Sequence, residues 1–185
     1  MRGLRAKGLG LRAQGGGRIG AALIVLLLAA GFVHAETIDR VLAVVAGELI
    51  MLSDVTAVRD LGIVPAGSAA DPTGAVLTRL IDRELMLAEV DRYAPPEPES
   101  AEVDRDVAAI RARFASEKAF TDALARSGFD VSHVREIVRE NLRLKAYLDQ
   151  RFTVPDGDQQ RRQALIDDWV AGLRRRTPVV NLYRP

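Results

Sequence analysis

The side chains able to do chemistry are few in this sequence, and they lie far apart. No cysteine occurs among the 185 residues, which removes thiol nucleophiles, disulfide staples and cysteine-based metal sites together. His133 has no second histidine or cysteine near it, the partners that metal binding would need, so it reads as a solvated residue at a helix start. Asp167 and Asp168 are adjacent, and adjacent side chains on a helix diverge by about 100°, so they do not converge as two catalytic carboxylates. Ser53-Asp54 lacks a base that would activate the hydroxyl, and is read as a helix N-cap. Gly8-Leu9-Gly10 and the Gly15–Gly17 run precede no strand-and-helix pair, so they form no phosphate loop. Arg161-Arg162 and Arg174–Arg176 read as a solvated helix face, with cations favourable near a helix C-terminus. No catalytic residue, no metal ligand and no cofactor is expected.

The first 35 residues belong to a different kind of sequence. Arg2, Arg5, Lys7, Arg12 and Arg18 occur there without an acidic residue, and Ala21 to Val33 is then almost uninterruptedly apolar. A basic leader, a short apolar centre and the small residue Ala35 ahead of a polar stretch describe a secretory signal peptide, with cleavage expected between Ala35 and Glu36. The apolar run falls short of the about 20 residues that span a bilayer, so an uncleaved anchor is the lesser alternative and no span is expected after cleavage. Losing the five leader cations leaves 21 basic against 25 acidic side chains. A mildly acidic product offers no general attraction to nucleic acid. The expected location is the periplasm, and residues 36–185 are enough for one domain with a core.

The elements that would position these side chains are mostly helices. Ile38 to Leu52 carries two β-rich runs, VLAVV and ELIML, around Ala46-Gly47, and reads as a hairpin. Ser53-Asp54 is expected to cap a short helix over Val55–Leu61, followed by a loop from Gly62 to Gly74. Ala75 to Tyr93 is helical with an apolar sector wide enough for a central helix, and the Pro95-Pro96 pair ends it. Ser100 is expected to cap the next helix, whose stripe is Val103, Val107, Ile110 and Phe114. A shorter helix follows Ser116 and ends at Ser127-Gly128. A long helix from Asp130 to about Arg151 has Val134, Ile137, Val138, Leu142, Leu144 and Leu148 on its buried face. The last helix, about Gln159 to Arg175, buries Leu165, Ile166, Trp169, Val170 and Leu173, and a strand over Val179–Tyr183 closes on the hairpin edge.

In that order these segments resemble the N-terminal chaperone region of the SurA-type periplasmic folding factors. Val41, Ala43, Val44 and Val45 followed by Ser53-Asp54 fit the family's opening hairpin and polar pair. Leu80-Ile81-Asp82, Phe120 to Leu124 and Arg135 to Leu148 resemble its successive helices. Trp169 and Val179–Tyr183 stand where the family's closing helix and strand return to complete the domain. The resemblance covers nearly all of 37–184 and lies in the order of packing patterns, with no single diagnostic motif. It implies a mainly α fold: a multi-helix chaperone domain with a small β-hairpin joined by a C-terminal strand. That domain combines an N-terminal region, 36–152, with a closing helix and strand, 158–185.

One departure from the family matters. Relatives carry parvulin prolyl-isomerase domains after this region, yet only Thr153 to Asp158 separate the last two helices here, too few residues to fold a domain. The parvulin site also needs two histidines, and residues 36–185 hold only His133. The resemblance therefore implies an ATP-independent holdase without isomerase catalysis. Its partners would be unfolded envelope polypeptides, including outer-membrane protein precursors, held in a cleft of mixed apolar and polar walls. Met51, Met86, Phe114, Phe120, Phe129 and Tyr147 are candidates for lining that cleft, but the core is the expected place for each, and no client-binding residue is named. The rival functions are an adaptor for one dedicated envelope partner and a residual isomerase.

Overall fold

A two-residue turn starts the fold. Ala46 and Gly47 have φ of 54° and 101°, the pair of positive values that a type I′ hairpin turn requires. They join β1 (Val41–Val45) to β2 (Glu48–Met51), with Val45 opposite Glu48 and Val44 opposite Leu49. This is a computed structural model that describes residues 39–155 and 158–185; the expected leader, with Ala35 and Glu36, lies outside the described residues. The C-terminal β3 (Val179–Asn181) pairs antiparallel with β1, giving the order β2-β1-β3. The two ends of the described chain thus meet in one sheet. β3 is shorter than the expected Val179–Tyr183; Leu182 N still donates to Leu42 O of β1 at 2.9 Å, and the Tyr183 N–H is then taken by the Asn181 side chain at 2.9 Å.

Six helices occur among the described residues, and their starts show where sequence cues hold. α1 (Leu52–Asp60) begins directly from β2, so the hairpin register fixes its first turn. The expected Ser53-Asp54 cap is therefore displaced: Met51 occupies the cap position and Asp54 accepts its N–H at 2.7 Å. Ser53 instead donates its hydroxyl to Asp39. α2 (Pro72–Tyr93) starts ahead of the expected Ala75, since Asp71 accepts from Gly74 N at 2.9 Å and Pro72 suits the first turn. It ends at Ala94, in the left-handed region, before the proline pair.

α3 (Ser100–Arg111) buries Val103, Val107 and Ile110 as expected, but Ser100 is its first residue and not its cap, and Phe114 lies beyond its end. Ser116 caps α4 (Glu117–Arg126), Asp130 caps α5 (Val131–Arg151) and Asp158 caps α6 (Gln159–Arg176).

These elements bury two apolar clusters. In the first, α2 packs against the sheet, α1, α5 and α6, which accounts for its wide apolar sector: Val76, Leu77, Leu80, Ile81, Leu85, Leu87 and Val90 are all buried. Ile166, Trp169 and Leu173 hold α6 to the fold, whereas Leu165, expected on the buried side, is 44% exposed. The second cluster joins Leu61, α3, α4 and the first half of α5 around Phe120. α5 serves both, burying Val134 and Val138 in one and Leu144 and Tyr147 in the other, while Ile137, Leu142 and Leu148 are half-buried.

The Asp71 carboxylate ties the chain's end to its longest helix, because it also accepts the Tyr183 hydroxyl at 2.9 Å. Asp71→Ala is expected to cost about 1–2 kcal/mol, the loss of an N-cap, read as a lower urea midpoint with unchanged slope. Tyr183→Phe should reproduce only a part of that shift.

Candidate functional groove beside the open strand

A groove of about 180 Å³ opens where the two clusters meet. Ile63 packs against both clusters and lies in its wall. Val58 from α1, Leu80 from α2, Phe129 and Ile137 supply apolar surface, and Glu48, Leu49 and Ile50 of β2 form one side. The volume suits one or two side chains; cofactor and drug-sized pockets run to about 300–1,000 Å³.

The β2 side is the informative one. Successive strand residues point to opposite faces, so three consecutive residues can line one groove only where it follows the strand's edge. Val45 and Glu48 flank the two-residue turn and are the hydrogen-bonded pair; the next pair, Val44 and Leu49, therefore directs its N–H and C=O groups outward. On β1 that edge is covered by β3. On β2 no strand covers Leu49 among the described residues, and its side chain is 56% exposed. Met51, the next outward residue, has its N–H taken by Asp54.

Charge is concentrated on the walls. Arg83 Nη1 donates to Glu84 at 2.8 Å, Nη2 to Glu140 at 2.7 Å and Nε to Asn141 at 3.0 Å, which fastens α2 to α5. Glu48, Asp54, Glu84 and Glu140 thus face the groove with Arg83 as the cation among its lining residues. Burial raises the Glu84 carboxyl above its ordinary titration range, and Glu140 and Glu48 add to this while Arg83 opposes it. Burial likewise raises Asp54, against the stabilising Met51 N–H. A raised carboxyl in an apolar setting is one whose charge is incompletely compensated.

The six cleft candidates do not form one surface. Phe120 is fully buried, and Tyr147 is buried between Tyr93 and Trp169, so both take the core positions expected of them. Each fills a gap where three helices converge, and periodicity alone does not separate that from a cleft wall. Phe114 is half-buried against Phe120, Met86 faces a separate depression beside α6, and Met51 is half-buried at the end of β2. Phe129 alone of the six lines the groove. His133 stacks on Phe129 with ring centroids 4.9 Å apart, and its Nδ1 lies 2.8 Å from Asp130, at an exposed helix start.

Asp167 and Asp168 are both exposed, and Asp167 accepts from Gln163. Arg162 pairs with Asp149, Arg174 with Asp82 and Arg176 with Glu89, so much of the arginine-rich face is neutralised within the fold. Among the described residues no cluster of three His, Cys, Asp or Glu could hold a metal ion, and no helix is long and apolar enough to cross a membrane.

Arg83, Glu84, Glu140 and Leu49 are groove residues that motif reasoning passed over. The available signal was Arg83-Glu84, a charged pair inside the apolar run of a central helix. The chain matches no family model, and no curated protein matches it.

Proposed function

We propose that the chain is an exported, ATP-independent holdase of the SurA type, a chaperone core without isomerase domains that shields unfolded envelope proteins in the periplasm. Outer-membrane protein precursors are the proposed clients. The observation that supports this best is the side-chain-sized apolar groove alongside the unpaired backbone of Leu49. An edge of this kind offers pairing to any extended chain, whatever its sequence, and an apolar recess next to it adds a modest gain for each side chain taken up. Affinity stays low and release needs no nucleotide. Shielding then works by mass action: client held by the chaperone is withdrawn from the pool that aggregates.

Aggregation of a urea-denatured outer-membrane β-barrel protein on dilution provides the test. The purified protein at equimolar to several-fold excess is expected to suppress light scattering in proportion to its concentration. No suppression at several-fold molar excess would overturn the proposal. Recovery of one stoichiometric partner from periplasmic extracts, in place of many clients, would favour the adaptor function.

A further inference from the structure

We infer that the groove takes an extended peptide segment as an added strand on β2, selecting an apolar residue and a lysine or arginine two positions apart. This rests on the holdase proposal and specifies which segments it holds. Leu49 presents its N–H and C=O outward, so a partner strand can form two backbone bonds there. Side chains of that strand then alternate between two surroundings. Those on the face shared by Glu48 and Ile50 enter the groove; the others lie beside Leu49, in the exposed apolar row that Leu49, Val44 and the 51%-exposed Val180 make across the sheet.

Within the groove the surroundings are themselves divided. Leu80, Ile63 and Phe129 offer an apolar recess, whereas Glu48, Glu84 and Glu140 give carboxylate surface in excess over Arg83, whose bonds go to Glu84, Glu140 and Asn141. An apolar side chain fits the recess. Its same-face neighbour, two residues along, meets uncompensated negative charge and is best satisfied by a cation. Acidic and purely apolar segments lack that match, and a segment with the two residues adjacent puts one of them on the wrong face. A second copy of this chain is the competing occupant.

The test uses fluorescein-labelled hexapeptides of identical composition, with leucine and lysine at i and i+2 or at i and i+1, read by anisotropy with the full-length protein. The i, i+2 peptide is expected to bind about tenfold more tightly. Glutamate in place of lysine, or N-methylation of the amide of the residue between leucine and lysine, which faces Leu49, should each weaken it by a similar factor. The double variant E84Q/E140Q, checked for fold by circular dichroism, should bind the leucine–lysine and leucine–glutamine peptides with equal affinity, the lysine preference being lost.

Equal affinity for the two spacings would overturn the inference, as would indifference to N-methylation. If aggregation of the denatured client is still suppressed in that case, the holdase proposal stands and only the mode of holding is wrong; if suppression is absent too, both fail. Sedimentation showing a dimer that excludes the peptide would assign the groove to a second copy and also overturn the inference.

Discussion

Phe120→Ala is expected to lower the unfolding free energy by about 3–5 kcal/mol, the range for removing a fully buried aromatic ring. Phe120 is the centre of the second cluster: Phe114 meets its edge with ring centroids 5.4 Å apart and Arg111 lies over its face at 5.2 Å. α4 is a short helix that also buries Ala123 and Leu124, so losing Phe120 removes its main anchor to α3 and α5. Urea unfolding followed by far-ultraviolet circular dichroism reads the loss. At temperatures where the variant is folded, client affinity should be unchanged, because the ring has no access to solvent. A stability change under about 1 kcal/mol together with weakened client binding would return Phe120 to the client surface.

Arg83→Ala is expected to cost about 2–3 kcal/mol near neutral pH, since it strips charge-assisted hydrogen bonds from two partly buried carboxylates and leaves both uncompensated. Partial exposure of Arg83, Glu84 and Glu140 keeps the figure below that for a fully buried pair. The cost depends on pH in a defined sense. Burial already raises the Glu84 carboxyl in the folded protein, with Arg83 acting to lower it, so removing Arg83 raises it further.

A folded state that binds the proton more tightly than the unfolded chain gains stability as pH falls through its raised range. The deficit of the variant should therefore be largest at neutral pH and shrink towards the range just above an ordinary carboxyl. Glu136, lowered chiefly by its bond to Arg139, and Asp130, lowered first by the Ser132 hydroxyl, act in the opposite sense and only at lower pH, where protonating them removes stability. Equal deficits at about pH 7 and about pH 5 would contradict this assignment of the charge.

Much of the architecture was legible because it depends on local rules. Ala46-Gly47 announces its own turn, the Pro95-Pro96 pair ends α2, and Ser116 and the Asp130 side chain cap their helices where the sequence places them. The closing strand could also be expected, since an apolar hairpin edge needs cover. Boundaries failed where a neighbouring element overrode the local cue: β2 feeds α1 without a linker, so Met51 takes the position that Ser53-Asp54 would otherwise hold.

The groove was largely illegible. It arises from residues far apart in the chain, Leu49, Ile63, Arg83, Phe129 and Glu140, and nothing in their local spacing says that they meet. Aromatic type was a poor guide as well. Phe120 and Phe129 look alike in sequence, yet one sits at the centre of a cluster and the other at the seam between two.

Site-specific photo-crosslinking locates where an unfolded client sits on this protein. A photoreactive amino acid is placed at Leu49, beside the groove, and separately at Lys118, on the exposed face of α4, and each protein is mixed with an unfolded outer-membrane β-barrel precursor. Adducts are expected from position 49, competed away by the lysine-bearing peptide with i, i+2 spacing, and essentially none from position 118. Equal labelling from both positions, or labelling from 118 alone, would contradict a client site at the open edge of β2.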